Sequence, residues 1–87
     1  MFGNHDFGAS EFKTWSKAQR KAEIGKLVEG YRNGVPIGIV LKMAETIAGS
    51  QKMAKKHLCT FMTLAEREKA VENESASMRI LAAEYLL

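Results

Sequence analysis

Eighty-seven residues, with 13 Lys and Arg against 10 Asp and Glu and a net charge of +3, make one domain without room for a second core. The single cysteine excludes an intramolecular disulfide scaffold and fits a reducing compartment. No window approaches the roughly 18 apolar residues of a membrane span, and residues 1–10 lack the apolar run of a signal peptide, so a cytoplasmic location away from membranes is expected.

The charge is unevenly spread. Residues 1–59 hold ten Lys or Arg against five Asp or Glu, whereas residues 60–87 hold three against five. A basic body with an acidic C-terminal element suits a chain that meets phosphates or an acidic protein surface. The alternative is a solvated surface that simply carries more lysine than glutamate.

Residues 1–14 read as an irregular aromatic arm ahead of a single helical domain, residues 15–87. Phe2-Gly3 and Phe7-Gly8 repeat a pair at a five-residue spacing, with Phe12 five further on and Trp15 close behind. Their glycines and lack of helical period argue against a helix here. Phe7, Phe12 and Trp15 either cover one end of the core or anchor a partner protein.

The first helix starts at Ser16, with Gln19 three residues on in a capping-box pattern. Ile24, Leu27, Val28 and Tyr31 then form an apolar stripe, and Asn33-Gly34 ends it. A second helix begins at Pro36. Ile37, Val40, Leu41, Ala44, Ile47 and Ala48 share one side, while Ile39 and Met43 extend the apolar surface, so this helix is expected to be buried over most of its circumference. A short strand over residues 35–41 is the alternative, favoured by β-branching. Ser50 caps a third helix, residues 51–61, which turns Ala54, Leu58 and Phe61 inward. Thr63 and Glu66 form another capping box and open a fourth helix, charged in its first half. Asn73-Glu74-Ser75 is a place where it can break. Met78, Leu81, Ala82 and Tyr85 then form a clean apolar face, with Ile80, Leu86 and Leu87 beside it. The fold expected is all-α, a small four-helix domain.

At residues 44–58 an apolar helix stops at Gly49, restarts at Ser50 and becomes basic. With Met43 this segment resembles the helix-turn-helix of bacterial and phage DNA-binding regulators, with its corner at residues 48–50. The motif needs a small residue in the first helix, a small residue at the turn, and apolar anchors beyond. Two registers are open. With Ala48 at the turn, Ala44 makes the close contact and Met43, Ile47 and Ala54 are core positions, while Gly49 and His57 fall where apolar residues are usual. With Gly49 at the turn, Glu45 and Lys55 fall at packed positions. The resemblance implies a small DNA-binding regulator that reads double-stranded DNA through its third helix. Ser50, Gln51, Lys52 and Lys55 would then face the major groove, where Gln51 can pair with adenine, and Lys56 and His57 would extend the basic surface. Lys17, Arg20 and Lys21 would contact phosphates.

Nothing in the sequence points to an enzyme, a metal or a cofactor. His57 and Cys59, two apart, lie on different sides of a helix. No CxxC or HExxH spacing occurs, and Gly49-Ser50-Gln51-Lys52 lacks the P-loop pattern. Glu66, Glu68, Glu72 and Glu74 read as a solvated helix face. The rival to DNA binding is a protein-binding module or inhibitor acting on a larger host complex, as phage-encoded proteins do. It would use Phe7, Phe12, Trp15, Met78, Leu81 and Tyr85, and the C-terminal helix could pair with a second copy as a homodimer.

Overall fold

A computed structural model describes residues 14–72 and 75–87, and the expected aromatic arm, with Phe7 and Phe12, lies outside them. Five α-helices and no strand occupy the described residues: α1 (Lys17–Arg32), α2 (Ile37–Ala48), α3 (Gln51–Phe61), α4 (Leu64–Val71) and α5 (Ala76–Leu86). The fold is all-α. The fourth helix, expected with a possible break at residues 73–75, is two helices, the second starting where the Ser75 hydroxyl accepts from the Met78 N–H at 3.0 Å. The strand alternative at residues 35–41 is not realised, because Pro36 sits just before the first turn of α2 and its missing N–H costs nothing there.

Helix boundaries follow local chemistry. Ser16 accepts from the Gln19 N–H at 3.1 Å, but the reciprocal half of a capping box is formed only at α4. There the Thr63 hydroxyl accepts from the Glu66 N–H at 3.0 Å and the Glu66 carboxylate accepts from the Thr63 N–H at 2.9 Å. α1 ends in a Schellman motif: Val35 N–H reaches the Gly30 carbonyl and Gly34 N–H reaches that of Tyr31, with Gly34 at φ +112°.

The core is one cluster to which every helix contributes: Ile24 and Val28 from α1, Val40, Leu41 and Ala44 from α2, Ala54 and Leu58 from α3, Ala70 from α4, and Ala82 and Leu86 from α5. α1, α2 and α3 pack against one another pairwise, α5 closes over α2 and α3, and α4 packs mainly on α5. α1 and α3 come close at Gly25, where an added Cβ would lie 3.1 Å from the Phe61 ring.

Burial departs from the expectation at α2. Ile39 is 51% and Met43 44% exposed, so the helix is amphipathic and not buried all round. α1, α3 and α5 pack on its inner side, and Ile39 and Met43 lie on the side they leave open.

Polar clamps tie the periphery to this core. The Arg32 guanidinium donates to both Glu66 oxygens, at 2.7 and 2.9 Å, and to the Phe61 carbonyl at 3.0 Å. Glu66 is therefore a bridge between α1 and the start of α4, and not part of a solvated face. The Arg32 hydrogen bonds, then the Thr63 N–H, hold its carboxyl at about 2. Arg67 fastens the chain end, donating to the Leu86 carbonyl at 2.9 Å.

On the other side, the Tyr85 hydroxyl donates to the Glu45 carboxylate at 2.5 Å. That acceptor first, and burial second, push its pKa from 10.0 up to about 12. With the folded value raised, the contribution to stability is complete below pH 10 and is lost as pH climbs to about 12. The melting temperature of the wild type should thus fall more steeply across that window than that of Tyr85→Phe. Parallel curves would show that this hydrogen bond has no energetic weight.

Candidate nucleic-acid interface

The corner between α2 and α3 is two residues long, Gly49 and Ser50. Helix-turn-helix connections are usually 3–4 residues, so this corner is tight. Gly49 takes φ +91°, where a Cβ is strained, and its N–H still reaches the Glu45 carbonyl at 2.8 Å. Ser50 is extended and its hydroxyl accepts from the Met53 N–H at 3.2 Å, which starts α3 at once. Arg20 braces the corner from α1. Its Nη1 donates to the Ile47 carbonyl at 2.6 Å and its Nε to the Trp15 carbonyl at 3.2 Å. The guanidinium thus satisfies a carbonyl of the last turn of α2 and holds the segment preceding α1 against it.

Each register of the motif matches part of this geometry. With Ala48 at the turn, Ala44, Ile47, Ala54 and His57 are all buried, but Met43 is not. With Gly49 at the turn, the left-handed residue falls in place and Leu58 is buried, but Glu45 is exposed and Lys55 only partly covered.

The lysines divide between two rows. Lys17 and Lys21 lie one turn apart on α1, and Lys52 and Lys56 one turn apart on α3, all four exposed. Lys21 and Lys56 both bear electrostatically on His57, and α1 packs against α3. Among the described residues no carboxylate pairs with Lys17, Lys21, Lys52, Lys55 or Lys56; the ion pairs are Lys26–Glu23, Arg32–Glu29 and Arg32–Glu66. Gln51 and Lys55 occupy the other row, i and i+4, with Cys59 completing it. Gln51 Nε2 donates to the Glu84 carbonyl at 3.4 Å and Cys59 Sγ to that of Leu86 at 3.6 Å. This row therefore flanks the C-terminal end of α5.

His57 departs from the expected basic surface. It is 8% exposed, and its pKa is pushed below the ordinary histidine range by burial, then by Lys21, then by Lys56. Burial and the two lysines disfavour its charged form, so it is withdrawn from the basic surface expected of it. Its burial has a sequence signal in the i, i+3, i+4 spacing of Ala54, His57 and Leu58, which its polarity disguised.

The residues expected to meet a protein are partly brought together. Met78, Leu81 and Tyr85 line a groove of about 630 Å³ between α5 and α2, whose opposite wall includes Ile37, Ile39 and Leu41. Trp15 packs on the core elsewhere, half-buried near the corner.

The described residues define a small all-α domain with a tight helical corner and exposed lysines on α1 and α3. No protein-family model, curated protein or solved structure matches the chain. Among the described residues no helix is long and apolar enough to cross a membrane.

Proposed function

We propose that the protein is a small DNA-binding regulator that grips duplex DNA with the face formed by α1 and α3. The observation that carries this reading is that two helices which pack together each expose a one-turn lysine pair, Lys17 and Lys21 on α1 and Lys52 and Lys56 on α3, without a compensating carboxylate among the described residues. Like charges held together raise the local potential, and a polyanion relieves that repulsion while releasing its own counterions. The mutual packing of α1, α2 and α3 supports the reading, since it presents α3 on a braced three-helix unit.

Ser50, at the start of α3, and Lys52 are the residues placed to approach base edges. Lys17, Lys21 and Lys56 supply phosphate contacts, and Arg20 serves the corner itself. Gln51 and Lys55 have a lesser part, toward the α5 end of the interface.

Binding to a labelled duplex across a series of salt concentrations tests the proposal. Three lysine–phosphate contacts predict that log K falls with log salt at a slope of about −2.7. No measurable binding at low salt would end it.

A second reading, a protein-binding module, is favoured by the groove between α2 and α5 and by the exposure of Ile39 and Leu81 in its lining. A homodimer through α5 is one form of it. It becomes the leading reading if duplex binding is absent while the chain self-associates in sedimentation.

A further inference from the structure

His57 occupies a position that an apolar anchor would fill at less cost. No protein group among the described residues hydrogen-bonds its imidazole, although it is only 8% exposed. Buried polar groups without a partner are uncommon and each calls for a reason. The charged groups that face it are Lys21 from α1 and Lys56 from its own helix, and no carboxylate from α1, α2, α4 or α5 does so. In the free protein this environment opposes a third positive charge. An anion seated between the two lysines offsets one of their two charges and offers an acceptor to the ring, so a charged imidazole is less disfavoured than in the free protein.

We propose that a phosphodiester group of bound DNA sits between Lys21 and Lys56, and that His57 takes up a proton from solvent as it does so. This rests on the DNA-binding reading and makes that binding pH-dependent. The proton is accepted by the imidazole nitrogen that carries the lone pair, giving an imidazolium that donates from both nitrogens, one of them available to a phosphate oxygen. Affinity then rises as pH falls, because the complex holds one more proton than the free partners. The rise begins as pH drops through the His57 pKa of the complex and levels off below that of the free protein.

Affinity for a labelled duplex should be at least about fivefold higher at pH 5.5 than at pH 7.5, at constant ionic strength. The ratio should collapse to near one in His57→Gln and persist in His5→Gln, which controls for the other histidine. NMR titration of the His57 ring protons in the wild type provides a readout independent of the variant's fold, with a pKa higher in the DNA complex than in the free protein. A parallel titration with inorganic phosphate separates the sources, since a pKa that rises with phosphate but not with DNA overturns the assignment to a phosphodiester. DNA binding of equal strength at both pH values, with the ring pKa unmoved, overturns this inference and leaves the DNA-binding reading intact. Loss of all duplex binding at low salt overturns both.

Discussion

Leu58→Ala should lower the melting temperature by roughly 12–24 °C, the equivalent of about 3 kcal/mol in a domain of this size. Leu58 is fully buried on α3, within the cluster that joins Ile24 and Val28 of α1 to Leu86 of α5. Truncation removes the transfer free energy of the lost methyl groups and leaves a cavity that surrounding helices fill only in part, which together cost about 2–5 kcal/mol. A domain of 87 residues has about 4–13 kcal/mol in total, so the variant loses a large fraction of its stability. Thermal denaturation followed by far-UV circular dichroism measures it. A shift of only a few degrees would mean that α3 is not seated in the core, and the lysine face would lose its platform with it.

Reversing two charges, Lys21→Glu with Lys56→Glu, should weaken duplex binding by at least about 100-fold at low salt, since like charge set against phosphate costs several kcal/mol. The salt dependence should also become shallower by about 2 in slope, one for each phosphate contact removed. Neither lysine has an ion-pair partner among the described residues, and both are exposed, so no attractive contact is lost and the fold should be kept. An intact melting curve with lost binding locates the interface at the junction of α1 and α3. Unchanged affinity would remove this face from contention and shift attention to the groove between α2 and α5.

Much of the architecture was readable along the chain because its determinants are local. Ser16, Ser50 and the Thr63–Glu66 pair mark helix starts by chemistry that acts within one turn, and all three positions cap helices. Gly34 and Gly49 mark ends because each holds a left-handed backbone. Pro36 decided against the strand. The interruption near residue 74 was legible as a choice, and the Ser75 cap resolves it into a separate helix.

The outward side of α2 was misjudged for a reason that lies outside its sequence. Ile39 and Met43 are as apolar as their neighbours, and only the number of helices available to cover them leaves them exposed. Glu66 shows the same limit. Its role in capping Thr63 is local and was foreseen, whereas its bond to Arg32 spans 34 residues and depends on how α1 packs.

The lysine face lies between these cases. Residue type and one-turn spacing put Lys52 above Lys56 and Lys17 above Lys21 before any packing is considered. That Lys21 and Lys56 both bear on His57, that Gln51 reaches α5, and that Arg20 holds the Ile47 carbonyl are consequences of helix docking. His57 is the sharpest instance: the sequence shows a titratable ring in a basic run, and only the packing of α1 on α3 makes it buried, with Lys21 of the other helix acting against its charged form. The sequence by itself determined the all-α class, the helix ends and the supply of positive charge, because capping, helical period and composition act over a few residues. Tertiary structure alone decided which charges stand together and which side chains are withdrawn from water, because both depend on distances between helices that no local rule sets.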